Sequence, residues 1–515
     1  MWRLTTPFIV SIGSALVWAG PAAAQGRGGA DWTTAGNDAQ RSSWVRSDPK
    51  ISRDSMQKPG FQFLWKIKFE NEARQLNGLT PAVLLDRYIG HRGFRSLAFI
   101  GGSSDNVYAV DTDLGRIEWQ NHYSAGPAAG PGSLDCPGGT TTGLTRPTGT
   151  ALPVAIGGRG GFGGRGGPAK SGVGEPGEGA VQLVEVGQGR GGRSAPGAPG
   201  DAGRGAARGG GGGFGRMPSL AYALTSDGRL QAVYVSNGAD SEEPMKFLPA
   251  NANAQGLIVA DNVAYAATVN GCGGVANGVW ALDLASKEVA TWKSGASSPA
   301  GSAGPAFGPD GTLYVATAGG EPSLVALEPK TLKQKDSYPT GSDFASSPVV
   351  FDYKGKILVA AGAKDGSIRL FDSASIKSAL ASSMSQNGPP SGLASWQDAA
   401  GTRWILAADA TAVDAWKVVD ENGGPSLRRG WVSRDMVAPL APMIVNGVVF
   451  ALAGGDAHSH AVLYALDGGT GKEVWNSGNT IGSFVHGGGL SGGSSQLYLG
   501  TYDGTLYAFG FPIEH

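Results

Sequence analysis

At 515 residues, with 86 glycines, 16% charged residues and a formal net charge of -1, the chain has the make-up of many short strands joined by tight turns. The near-neutral balance leaves no cationic surface of the kind that tracks phosphates, which excludes nucleic acid as a first class of partner. Length alone would allow two or three ordinary domains, but repeat architectures run this long as one unit.

The chain opens as an export signal. Arg3 supplies the positive n-region, Phe8 to Gly20 is a short apolar stretch, and Ala22, Ala23 and Ala24 before Gln25 give a small-residue cleavage pattern. Residues 1–24 are therefore expected to be a signal peptide, and the protein to be periplasmic or secreted. The apolar stretch is too short to span a bilayer, no later stretch reads as transmembrane, and no cysteine follows the cleavage site to carry a lipid anchor. Residues 25–60 read as a lead-in, and residues 61–515 as one repeat domain whose first strand is FQFLWKIKF, Phe61 to Phe69.

Two distant segments are nearly the same sentence. NVYAVDTDLGRIEW and VLYALDGGTGKEVW align Ala109, Asp111, Gly115 and Trp119 with Ala465, Asp467, Gly471 and Trp475. Such a pattern is a strand, a turn where Asp caps backbone amides and Gly takes a positive φ, and an outer strand carrying a Trp that packs between neighbouring units. Weaker copies lie between them: Ala281 and Asp283 with Lys287 at the Gly place, Ala326 with Glu328, and Asp372 alone. Each is preceded by an apolar strand and a turn, with Asp310-Gly311 and Asn446-Gly447 as hairpin signals. A period of roughly forty residues with four strands each predicts an all-β, eight-bladed β-propeller of four-stranded antiparallel blades, seven blades being the alternative count. The last unit, ending SQLYLGTYDGTLYAFGFPIEH, is one strand short, so the N-terminal strand around Trp65 is expected to close the ring.

Residues 156–216 interrupt this order. They are Gly-rich with scattered arginines, and their only aromatics are Phe162 and Phe214, a composition expected to stay disordered as an insertion in the second blade. Its RGG-like look is read as a flexible loop, since export and the interspersed Glu175, Glu178, Glu185 and Asp201 argue against RNA.

The Ala-x-Asp-x-x-x-Gly-x-x-x-Trp spacing resembles the tryptophan-docking motif of the quinoprotein alcohol dehydrogenase superfamily, whose propellers are built from PQQ-like repeats. DWTTAGNDAQRSSWVRSDPKIS before the first strand resembles the opening of the same family's PQQ-dependent dehydrogenases. The resemblance implies a quinone on the propeller axis, stacked between a Trp and a ring of two adjacent disulfide-linked cysteines, with calcium or a lanthanide held by carboxylate and amide oxygens and a catalytic Asp beside it. This chain departs from the pattern: its cysteines are not adjacent, and no carboxylate matches the metal ligands or the base by a local motif. Three readings follow, namely a ligand- or protein-binding platform, a PQQ- and metal-dependent dehydrogenase oxidising an alcohol or sugar, and an envelope-assembly scaffold similar to the outer-membrane assembly lipoproteins that share the repeat. A small molecule or an envelope protein is the expected partner.

Few residues offer themselves for chemistry. Cys136 and Cys272 sit in Gly-rich loops and are compatible with one long-range disulfide or with two separate thiols. The absence of Cys-x-x-Cys-His excludes attached haem. His458 and His460 alternate, so both face one side as two candidate metal ligands or as part of a solvated turn. His486 precedes the expected inner strand of the last blade, near the central channel, as a candidate cofactor-binding residue or a packed core histidine. His91, Arg92 and Arg95, and Thr140 to Thr142 with Arg146, lie near predicted inner strands, where the arginines are candidate grips for an anionic cofactor or partners of loop carboxylates.

Overall fold

The computed structural model describes residues 31–75, 78–90, 93–123, 132–152 and 219–512, so the expected signal peptide, His91, Arg92 and the expected 156–216 insertion lie outside the described residues. The chain divides into two units, Met1–Pro153 with Ser219–His515, and Val154–Pro218, the latter outside the described residues. The first consists of eight antiparallel sheets following one another along the chain, an eight-bladed β-propeller. Among the described residues helix is almost absent: one turn at Arg53–Met56, with Ser52 as its cap, and a 3-10 turn at Cys272–Gly274. No described helix is long and apolar enough to cross a membrane.

Each blade runs outward from the axis. In the first, Val83–Gly90 is innermost, followed by Gly93–Gly102, Asn106–Asp111 and Arg116–His122. Middle strands are buried on both faces and read as continuous Val, Ala, Leu and Phe, as Val448–Ala453 does. Outer strands are half-exposed, with the alternation seen in Val289–Lys293. Apolar clusters therefore form between blades: Leu97, Phe99 and Ala109 of the first blade pack on Ala221 and Val233 of the second. The eighth blade is completed from the other end of the chain, Gln62–Lys68 pairing antiparallel with Thr505–Gly510 so that Trp65 stands opposite Ala508. This closes the ring.

The second blade departs from the four-strand rule. Among the described residues, Leu220–Leu224, Arg229–Tyr234 and Met245–Lys246 form its ladder. The innermost place is taken by residues 144–148, which make isolated bridges to Tyr222 on one side and Ala260 of the third blade on the other. Pro147 in this segment has no N–H to give a ladder, so a regular strand cannot form there.

The repeated motif holds neighbouring blades together. The Asp111 carboxylate accepts from the N–H groups of Asp113 and Leu114 at 3.0 and 3.1 Å, and Asp467 accepts from Gly469 N–H at 3.1 Å. The turn then passes through a left-handed residue, Gly115 at φ 60° and Gly471 at φ 71°. Against that glycine lies the tryptophan of the preceding blade. Trp65 donates to Thr112 O at 2.9 Å over Gly115, and Trp431 donates to Gly468 O at 2.9 Å over Gly471. Trp119 likewise donates to Val235 O at 3.0 Å over Gly238. Trp475 instead packs on Phe61 and Phe509 of the closing blade. Where no such tryptophan precedes, Lys287 occupies the turn at φ 63°, reaching back to Met245 and Glu242 of the second blade.

Candidate functional site: an axial chamber floored by the lead-in

The lead-in is not peripheral. It enters the central channel and touches every blade in turn. Trp32 O accepts from Leu84 N–H, Thr33 O from Arg146 N–H, and the Thr34 hydroxyl donates to Leu257 O. Ala39 O, Gln40 O, Ser42 O and Ser43 O then accept from Phe307, Val350, Ser395 and Ile444 of the fourth to seventh blades, each at 2.9 or 3.0 Å. Trp44–Val45 continues as a parallel strand beside Met443–Val445, and Asp48 accepts from Ser495 N–H of the eighth. Such a course demands tight local turns. Gly36 (φ 70°), Asn37 (78°), Arg41 (60°) and Ser43 (51°) are all left-handed, and Ser43 N–H closes the loop on Gly36 O at 2.8 Å. A Cβ at Gly36 would stand a tight 3.1 Å from the Arg41 Cα, so crowding adds to the positive φ that favours glycine there.

Above this floor lies a chamber of about 270 Å³, walled by the residues that lead into the inner strands. Every blade contributes: Pro81 and Ala82, Thr141 and Thr142, Gln255 and Gly256, Ser302 and Ala303, Ser347, Ser391, Ala441, and Gly487 to Gly489. Trp32, Arg41 and Ser43 belong to the lead-in. Ser302 and Gly487 are exposed and mark the mouth. Small residues dominate because eight strand ends converge. A Cβ at Gly256 would overlap Ala303 O, and one at Gly392 would stand 2.6 Å from Ala441 Cβ.

The wall's polar groups are largely committed. Thr141 Oγ1 donates to Ala254 O at 2.9 Å, and Thr142 Oγ1 accepts from Leu257 N–H at 3.0 Å. Ser347 and Ser391 donate to Ala300 O and Ala408 O at 3.4 and 3.3 Å. In the floor, Arg41 is buried and spends Nε on Pro305 O (2.9 Å), Nη1 on Thr34 Oγ1 and Ala35 O (2.9 and 2.7 Å), and Nη2 on Gly256 O (2.9 Å). Burial disfavours its charge and lowers its pKa, yet a guanidinium remains protonated at physiological pH.

The sequence candidates scatter around this chamber. Thr141 and Thr142 line it, and Thr140 bonds Asp105 at 2.8 Å beside it. Arg146 stands against the lead-in, its Nη1 donating to Asp31 at 2.8 Å and to Leu84 O at 3.1 Å. Arg95 is at the opposite end of the first blade, paired with Glu118 at 2.6 Å. His486 is exposed at the rim, immediately before the lining glycines. His458 and His460 are exposed in a turn of the seventh blade, where Asp456 accepts from His458 N–H at 2.8 Å. Among the described residues no three His, Cys, Asp or Glu side chains gather as a metal site. Cys136 and Cys272 form a disulfide, Cα to Cα 5.5 Å, tying the loop after the first blade to the third.

No family model matches the sequence, and no curated protein matches it. Solved structures do resemble it: a quinohemoprotein alcohol dehydrogenase from Comamonas testosteroni, at 13% identity and TM-score 0.58, covering 94% of this chain and 81% of that one. A europium-containing methanol dehydrogenase is similar at 12% identity and TM-score 0.58, covering 94% and 99%. A quinohemoprotein alcohol dehydrogenase from Pseudomonas putida HK5 is similar at 12% and 0.52, covering 94% and 81%. The fold is that of a quinoprotein-type propeller.

The described lining of this propeller does not present the carboxylate donors that calcium or a lanthanide takes. Hard cations take carboxylate and amide oxygens. The described lining offers no Asp, Glu, His or Asn, and Gln255 as its one side-chain amide. The cysteines are one bridge between loops 136 residues apart in sequence, not an adjacent pair.

Proposed function

We propose that this chain is an exported, non-catalytic binding propeller whose axial chamber takes a small molecule. One observation carries the reading: a chamber of ligand size, fed by all eight blades, has walls mostly of Ser, Thr, Gly, Ala, Pro and Leu, with no Asp, Glu, His or Lys in the described lining. A dehydrogenase needs a group to take the substrate's proton, and the described lining holds no carboxylate, imidazole or lysine for it. Export is supported by the signal-like residues 1–24 and by the Cys136–Cys272 disulfide, which belongs to an oxidising compartment.

The test is a dye-linked oxidation assay of the purified protein with alcohols and sugars, after incubation with PQQ and either calcium or a lanthanide. The reading predicts dye reduction no faster than with heat-denatured protein. Turnover that depends on both quinone and metal would establish the dehydrogenase instead.

A further inference from the structure

Resting on the chamber reading above, we infer that the ligand is a small organic monocarboxylic acid with an apolar body, its carboxylate held at the floor by Arg41.

The argument starts from charge. Arg41 is buried at the chamber floor, and all four of its bonds go to neutral oxygens, three carbonyls and the Thr34 hydroxyl. It takes part in none of the ion pairs among the described residues. Asp38, the acid whose charge it feels, is already engaged by Ser42 N–H at 2.9 Å, by Ser42 Oγ at 2.6 Å and by Arg46 at 3.3 Å. A buried cation without its own counter-ion is costly, and an anion entering the chamber relieves that cost. A guanidinium has five N–H donors, so one on Nη2 remains beyond its bond to Gly256 O.

Shape and polarity narrow the class. With one cation in the floor and no other Lys, Arg or His in the described lining, a monoanion is matched and a phosphate dianion is not. The walls add Leu144, Leu393, Leu440, Met443 and Leu490, which suit an apolar body. A sugar would need many free hydrogen-bonding groups, whereas Thr141, Thr142, Ser347 and Ser391 bond to the protein's own backbone.

Calorimetric titration at neutral pH separates these contributions, with benzoate and hexanoate as probes, benzamide and hexanamide as neutral isosteres, and inorganic phosphate as the third arm. The acids are expected to bind saturably and the amides at least about tenfold more weakly, the loss of one charge-assisted bond. Gly489→Phe should abolish binding of the acids. A Cβ there meets nothing within 4 Å, so the side chain starts into open space, and a melting curve like the parent's is the check that the fold is kept. Arg41→Gln should lose the preference for acid over amide; if that variant does not fold, the isostere and Gly489→Phe arms decide alone. The inference is overturned by no saturable binding of either acid, by equal binding of acid and amide, by phosphate binding as tightly as the acids, or by acid binding that survives Gly489→Phe. None of these outcomes touches the non-catalytic reading, which stands or falls on the dye-linked assay.

Discussion

The glycine beneath each docking tryptophan is constrained twice. At Gly471 the backbone is left-handed, and an added Cβ would run into the Trp431 ring; at Gly115 it would stand 2.5 Å from Trp65. Gly471→Ala should therefore combine left-handed strain with overpacking and destabilise by roughly 2–4 kcal/mol, read as a loss in Tm or in the denaturant midpoint. Gly489→Ala, in open space without a positive φ, should change stability by less than about 0.5 kcal/mol. If the two variants unfold alike, the docking account is wrong. Trp431→Phe keeps a ring but removes the N–H to Gly468 O, leaving a buried carbonyl unpaired, and should cost about 1–3 kcal/mol. At this scale the sequence was readable: Asp, Gly and Trp recur at fixed spacing because a capped turn, a left-handed residue and a ring in contact with it are local demands. Arg41 was not readable. Its partners are 215 and 264 positions away, at Gly256 and Pro305, and nothing beside it in sequence marks it as a chamber residue. Arg95 is misleading for a related reason: its strand starts at the end of the blade away from the mouth, and Glu118 takes its charge.

At the scale of elements, two devices hold the ring shut. One is the strand Gln62–Lys68 on the last blade, legible because the final repeat lacked a strand and the first strand lacked a partner. The other is the lead-in, whose ladder of bonds to successive inner strands was invisible, since a segment with so few apolar runs gives no periodicity to read. The cysteine pairing was equally undecidable from spacing, because only the fold brings residues 136 apart to a Cα separation of 5.5 Å. Replacing both cysteines by serine frees a long loop in the unfolded chain and should cost about 2–5 kcal/mol, so protein made under reducing conditions should melt earlier than oxidised protein. Equal melting of the two forms would show that the bridge is thermodynamically idle.

The whole molecule should be acid-sensitive in a defined direction. Asp283, Asp343 and Asp456 are held below the usual carboxylate value, first by the N–H groups of Ser286, Gly319 and His458 respectively. A carboxylate with a lowered folded pKa contributes stability that is present above its unfolded pKa and is lost as pH falls through the folded one. Tm should thus hold steady down to about pH 4 and fall below it, and changing the three residues to Asn should flatten that fall. Asp414 has the opposite sign: burial, then Asp409, raise its pKa, so its contribution is lost as pH rises.

The propeller was legible in the repeat, whereas the chamber's character depends on which small side chains eight converging strand ends bring together. The measurement that tests this most directly is calorimetric titration of the purified protein with PQQ, alone and with calcium or a lanthanide. A chamber without carboxylate donors predicts no metal-dependent binding. Saturable binding of PQQ that requires the metal would contradict the account and return the chain to the dehydrogenases that it resembles in fold.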